Sequence, residues 1–167
     1  MPAWYDIYSL DELDEREDQA GLEDSAEMIL DLVKEERTSG IPLDRIFIGG
    51  FSQGGCACLF TTLTHPYVRL AGVIALSAYL PARTFLQSLP LRARTVPIFM
   101  GHGTADMLVQ YQWHQHSAEY LKKLDGPKMK IGTYEGIGHS TCRKEMEDVA
   151  EFIQEQLANA KGTKDEL

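Results

Sequence analysis

The sequence predicts an α/β protein, a mostly parallel sheet flanked by helices on both faces. Two observations predict it. Short apolar runs of strand length alternate with longer segments whose apolar residues recur at helical spacing. The strand-length runs are continuous, with few polar interruptions, as in strands covered on both sides. With 167 residues, 44% of them apolar and 25% charged, the chain reads as one domain over 1–167 with a real core.

The elements follow in order. Leu22, Ala26, Ile29, Leu30 and Val33 share one helical face, so about 21–38 is an amphipathic helix ended near Gly40 and Pro42. Arg45 to Gly49 is a buried strand, and Gly54 to Thr64 a helix stopped before Pro66. Leu70 to Ser77 is a second strand. Tyr79 to Thr95 reads as loop, with Pro81 and Pro90 interrupting any regular element. Val96 to Met100 is a third strand, Tyr111 to Leu124 a helix ended by Gly126-Pro127, and Lys128 to Tyr134 a fourth strand. The last helix, about 142–160, carries Met146, Val149, Ala150, Ile153 and Leu157 on one face, and 161–167 reads as a flexible tail.

Charge narrows the partners. A net charge of −9 argues against nucleic acid or an anionic membrane, both of which need basic surface. The acidic cluster Asp11, Glu12, Asp14, Glu15, Glu17 and Asp18 reads as a solvated face. Three cysteines, Cys56, Cys58 and Cys142, have no framework spacing and suit a reducing compartment. No apolar run approaches the roughly 18 residues of a membrane span, so no stable membrane insertion is expected. The terminal Lys164-Asp165-Glu166-Leu167 has the form of an endoplasmic-reticulum retention signal, yet Met1 is followed by nothing like a leader. A cytoplasmic location is therefore expected, with the ending a coincidence.

The chemistry is carried by Gly50-Phe51-Ser52-Gln53-Gly54-Gly55, set between a strand and a small-residue helix. Gly-x-Ser-x-Gly in that setting is a nucleophile elbow, with glycines two residues either side of the serine leaving room for strand and helix to pass. It presents Ser52 at a strand's C-terminal end, with the Gln53 N–H aimed at the same space from a helix N-terminus. A serine hydroxyl needs a base, and the base an orienting acid. Gly101-His102-Gly103-Thr104-Ala105-Asp106 follows one strand and Gly136-Ile137-Gly138-His139-Ser140 the next. Asp106 alone reads equally as a turn or capping residue, and His139 as a loop histidine. Three residues agreeing in order, loop position and strand end favour a Ser52, Asp106, His139 triad. His102 reads as loop packing, and His65, His114 and His116 carry no evident chemistry. No ligand cluster implies a metal, and no cofactor is expected.

With these motifs the chain resembles the acyl-protein thioesterase and carboxylesterase (lysophospholipase-carboxylesterase) family of α/β-hydrolases. The resemblance runs from Trp4-Tyr5-Asp6 through Gly40-Ile41-Pro42, Leu70-Ala71-Gly72-Val73, Leu76-Ser77 and Leu80-Pro81 to Tyr134-Glu135-Gly136 and about Leu157. It implies the α/β-hydrolase fold and a thioesterase cleaving long-chain acyl groups from protein cysteines. Ser52 would be nucleophile, Asp106 orienting acid, His139 base, and Gln53 an oxyanion-hole donor. Tyr79, where relatives tend to carry tryptophan, and Leu80 and Pro81 are expected beside the acyl group.

One departure stands at the front. Members of the family carry a portion before the Trp-Tyr-Asp segment that adds sheet strands and a His-Gly-x-Gly-Asp loop with the second oxyanion-hole donor. Neither occurs here, so the N-terminal strands are expected to be missing. Losing one such donor costs about 2.7–4 kcal/mol of transition-state stabilisation. The apolar strand Ile46-Phe47-Ile48 is then expected at an open sheet edge, where chains could self-associate. Substrates are expected to be S-acylated proteins or acyl-ester lipids. The alternatives are a small-ester carboxylesterase or lysophospholipase, and a catalytically silent fragment acting as a binding or dimerising module.

Overall fold

Four parallel strands in consecutive order form the sheet in the computed structural model, which describes residues 3–9, 17–65, 68–88, 96–124 and 128–160. They are β1 (Phe47–Phe51), β2 (Gly72–Leu76), β3 (Ile98–Gly103) and β4 (Met129–Tyr134). Helices α1 (Gln19–Thr38), α2 (Gln53–Thr64), α3 (Arg83–Ser88), α4 (Tyr111–Lys123) and α5 (Arg143–Asn159) complete the chain. Side chains alternate across each strand. Ile48, Val73, Ala75, Ile98 and Met100 join the larger core beneath α1, α2 and α4. Leu76 and Phe99, with the half-buried Phe47 and Ile74, meet Val149 and Phe152 of α5 on the other face. Both faces are thus covered, as the apolar runs predict.

Register aligns the ends that matter. Phe51 pairs with Leu76, Leu76 with Gly101, and Gly101 with Gly132, so the C-terminal ends of β1, β3 and β4 open on one rim. Among the described residues β1 is an edge strand bonded only to β2, with Gly49 and Phe51 exposed.

Several boundaries differ from the sequence reading, each for a local reason. Leu43–Arg45 closes a 3-10 turn, so β1 starts two residues later than Arg45 and runs on to Phe51. Gly101, His102 and Gly103, read as loop, are the fully buried last residues of β3, paired with Gly132, Thr133 and Tyr134. The segment read as loop from Tyr79 to Thr95 contains α3. Its Leu86 is buried, and its Phe85 stacks on Phe60 of α2 with ring centroids 6.1 Å apart. Tertiary packing holds a helix too short to stand by its own propensity. Residues 89–95 and the tail 161–167, with Lys164 to Leu167, lie outside the described residues. On α5 the buried face is Glu145, Val149 and Phe152, whereas Met146 and Ala150 face solvent. Of the acidic cluster, residues 11–15 lie outside the described residues. Asp18 is no bystander: its carboxylate caps α1 by accepting from the Gly21 N–H at 3.0 Å. Glu17 accepts from the Ala82 N–H, pinning the turn before α3.

Candidate active site

Ser52 sits between β1 and α2 at φ 54°, a left-handed backbone that a non-glycine residue adopts at a cost. Two hydrogen bonds hold it there: its N–H donates to Leu76 O at 2.8 Å, and its C=O accepts from Cys56 N–H at 3.1 Å. Its side chain does not cap α2, so the hydroxyl is available elsewhere. The glycine requirement is shifted by one residue from expectation. A Cβ on Gly50 would lie 2.4 Å from Gly54 C, and one on Gly55 would lie 2.8 Å from Ala78 Cβ and from Gly50 O. A Cβ on Gly54 would meet only Trp4 Nε1, at 3.4 Å. The close strand–helix passage is therefore made by Gly50 and Gly55.

The other two groups come from the far side of the rim. Asp106, 4% exposed, follows β3. Its Oδ1 accepts from the N–H groups of Leu108 and Val109, both at 2.9 Å, which fixes the turn and the carboxylate together. His139 lies in the turn between β4 and α5. Its Nδ1 is 2.7 Å from Asp106 Oδ2, and its Nε2 is 3.0 Å from Ser52 Oγ. With the Nδ1 proton donated to the carboxylate, Nε2 is free to accept from the hydroxyl. Residues separated by 87 positions in sequence thus form one hydrogen-bonded line. Gln53 opens α2, so its N–H belongs to the first-turn donors that have no intrahelical partner. Its side chain looks the other way: Oε1 accepts from the Trp4 N–H at 3.1 Å and Nε2 donates to Tyr5 O, strapping the front of the chain to the elbow.

Tyr79, Leu80 and Pro81, expected beside the acyl group, lie on the segment between β2 and α3. All three are buried. The Tyr79 N–H donates to Cys56 Sγ, its hydroxyl lies 3.1 Å from that of Tyr5, and the Leu80 N–H donates to Ser117 Oγ at 2.8 Å. Tyr79 and Leu80 belong to the larger core. Phe51, beside Ser52 in the chain, places its ring centroid 4.8 Å from that of His139. Phe51 also lines an apolar cavity of about 390 Å³ along the open side of β1, with Trp4, Leu32, Phe47 and Gly54. Phe51 is the "x" of the elbow, and its neighbour across the rim is visible only in three dimensions.

Burial sets the charge states nearby. The thiols of Cys56 and Cys58 are pushed up to about 12 and about 11 by desolvation, which keeps them protonated and unreactive at neutral pH. His114 on α4 is pushed down to about 3, and His102 is lowered as well, both chiefly by burial. Among the described residues, no three His, Cys, Asp or Glu side chains are grouped to hold a metal.

Comparison with known proteins follows this geometry. The family model described as Phospholipase/Carboxylesterase matches residues 1–157. The chain belongs to that family. It is 43% identical over 164 residues to acyl-protein thioesterase 1 of Neurospora crassa, covering 94% of this chain and 66% of the relative. Against acyl-protein thioesterase 1 of Cryptococcus neoformans it is 37% identical over 172 residues, covering 94% and 72%. This family member thus spans about two thirds of the length of the curated relatives it matches. Among solved structures it is similar to Arabidopsis thaliana SOBER1, with TM-score 0.82, 26% identity, and 94% and 75% of the two chains covered. Zea mays acyl-protein thioesterase 2 is similar at TM-score 0.78 and 28% identity, covering 93% and 72%. These neighbours establish the α/β-hydrolase architecture of the sheet and its helices. Among the described residues no helix is long and apolar enough to cross a membrane.

Proposed function

We propose that this chain is a serine hydrolase that cleaves acyl thioesters and esters, acting on S-acylated cysteines of proteins through an acyl-enzyme. The observation that carries this reading is the line from Ser52 Oγ through His139 to Asp106, at 3.0 and 2.7 Å. His139 Nε2 takes the hydroxyl proton as Ser52 Oγ attacks the acyl carbonyl carbon. The Gln53 N–H, at the positive end of α2, donates to the oxyanion that forms. Collapse breaks the carbon–sulfur bond, and His139 returns its proton to the departing thiolate. Water then repeats the sequence on the acyl-serine, with His139 again the base, and the carboxylic acid leaves. Asp106 stays ionised throughout and stabilises the His139 imidazolium.

Two relatives bearing the name acyl-protein thioesterase 1, at 43% and 37% identity, favour protein S-acyl groups over a lysophospholipid or a small ester. The unpaired cysteines and the absence of a membrane-crossing helix among the described residues suit the cytoplasm. The test is labelling with a fluorophosphonate probe, followed by hydrolysis of a long-chain acyl thioester. Ser52→Ala should abolish both. Labelling that survives the substitution refutes the assignment, and a native chain that never labels supports a silent binding module instead.

A second reading concerns association and rests on the edge position of β1. Its outer backbone groups and the apolar residues beside it are the same on every copy, so two chains could pair β1 to β1 about a two-fold axis. Leu32, 56% exposed on α1, flanks that edge. Sedimentation should then give a dimer that Leu32→Lys returns to monomer. A native chain that is monomeric at high concentration refutes it.

A further inference from the structure

We propose that His102 is a positioning residue of this site: its Nε2–H donates to the Val109 carbonyl, and the ring, with Nε2 3.3 Å from Asp106 Oδ2, holds the carboxylate where His139 needs it. The inference rests on the reading of Ser52, His139 and Asp106 given above. His102 is the second-last residue of strand β3, fully buried, with Nε2 2.8 Å from Val109 O and 3.3 Å from Asp106 Oδ2. Both partners are acceptors only, so Nε2 carries the proton.

The arrangement closes on itself. Val109 donates its N–H to Asp106 Oδ1, and its C=O accepts from His102. Oδ1 is therefore fixed by two backbone N–H groups, His102 Nε2 stands 3.3 Å from Oδ2 while holding Val109, and the carboxylate plane is set before His139 arrives. His139 then meets an oxygen already aimed at it. Preorganisation of this kind removes a reorientation that would otherwise accompany each proton transfer.

His102 serves this purpose as a neutral donor. The groups facing it are Asp106 and Val109 from the turn, the Ala78 backbone, Tyr111 and His114 from α4, and His139 across Asp106. As placed, its Nδ1 makes no hydrogen bond among the described residues, and although the Ala78 backbone beside the ring favours a second proton, burial outweighs it. The neighbouring His114 ring, 5.0 Å away, offers no compensating negative charge. Burial lowers His102 further toward the neutral form. A charged imidazole here would compete with His139 for the single negative charge of Asp106. A neutral N–H orients the carboxylate and leaves its charge in place.

The experiment compares His102→Phe, which fills the same space without a donor, with His102→Gln, whose amide N–H reaches close to the Nε2 position. Three readouts are taken on the full chain: the fluorophosphonate labelling rate of Ser52, kcat and KM on an acyl thioester, and the downfield proton resonance of His139 Nδ1. His102→Phe should lower the labelling rate and kcat tenfold or more, leave KM within twofold, and shift or abolish the His139 resonance. His102→Gln should recover the rate to within threefold of native and restore the resonance. Unchanged rates and resonance in folded His102→Phe overturn the proposal. So does a folded His102→Gln that loses as much as the phenylalanine variant, or one whose losses track its melting temperature alone. Should the phenylalanine variant not fold, the glutamine variant decides by the same criteria. If the native chain is never labelled, the nucleophile reading fails, and the His139 resonance in the two variants still judges His102 by itself.

Discussion

The two halves of the candidate site are built to different standards of enclosure. Asp106 hangs from β3, an interior strand bonded on both sides, and its carboxylate makes three hydrogen bonds, with His102 Nε2 3.3 Å from Oδ2. Ser52 hangs from β1, a strand with one hydrogen-bonded neighbour, and Phe51 before it is 39% exposed. The two outer edges of the sheet differ in the same sense. On β4, Lys130 pairs with Glu151 of α5 at 2.7 Å, placing charge along the edge. Charge of that kind discourages pairing with another chain. Along β1 the flanking residues are mostly apolar, Trp4, Leu32, Phe47 and Phe51 among them, with Glu36 the one charged side chain in the cavity lining. The difference teaches that the acid–base half is held by its own turn, whereas the nucleophile half depends on the strap of Trp4 and Tyr5 and on whatever meets the β1 edge.

The largest effect expected is on the enclosed half. Asp106→Asn should leave the fold intact yet lower the Ser52 labelling rate by about 10⁴-fold, the loss that follows when the orienting carboxylate of such a triad is neutralised. A loss of less than tenfold in folded protein would mean that Asp106 holds only the turn. Next come the glycines that separate the halves sterically. A Cβ on Gly103 would lie 2.1 Å from Ile137 O, a backbone atom that cannot step aside. Gly103→Ala should therefore cost about 3 kcal/mol or more in denaturant unfolding. Gly54→Ala on the open half meets only Trp4 Nε1, so it should be neutral or stabilising by up to about 1 kcal/mol. Equal costs at the two positions would erase the contrast.

Acid stability gives a smaller effect. His114 is buried neutral, with its titration moved from the ordinary 6.5 down to about 3. Between those values the unfolded chain binds the extra proton and the folded chain does not. The stability contributed is full above about pH 6.5 and is lost as pH falls, by at most about 1.4 kcal/mol per pH unit. His114→Phe should flatten that acid limb in unfolding measured from pH 7 to 4. The remaining slope would come in part from His102, which is shifted in the same direction. An unchanged slope would show that His114 is protonated in the folded chain. The smallest effect belongs to the β4 edge. Lys130→Gln should cost no more than about 1 kcal/mol, and less in high salt, because its partner Glu151 is mostly solvated.

Much of the architecture was legible in the order of residues. Apolar runs at Phe47-Ile48, Val73 to Leu76 and Ile98 to Met100 have to be covered on two sides, and the helices between them supply the cover. The elbow was legible because a serine at positive φ demands glycine where strand and helix cross, although Gly55 and not Gly54 meets the demand beside Gly50. The α3 helix was not legible, since its stability comes from Phe85 on Phe60 and a buried Leu86, contacts made across the fold. The α5 face was misjudged because Glu145, a charged residue, is buried and Met146 is not.

By itself, the sequence determined which residue types were available for chemistry and where along the chain they fall. A serine in a glycine turn, then an aspartate and a histidine after successive strands, is a pattern that local sterics and strand length impose on one dimension. Only the tertiary structure decided which nitrogen of His139 meets which partner, that Tyr79, Leu80 and Pro81 are buried, and that His102 stands 3.3 Å from Asp106. Those outcomes depend on strand register and on side-chain directions, which are set when distant segments pack. A shift of one residue between β3 and β4 would move His139 relative to Asp106 without changing a letter of the sequence.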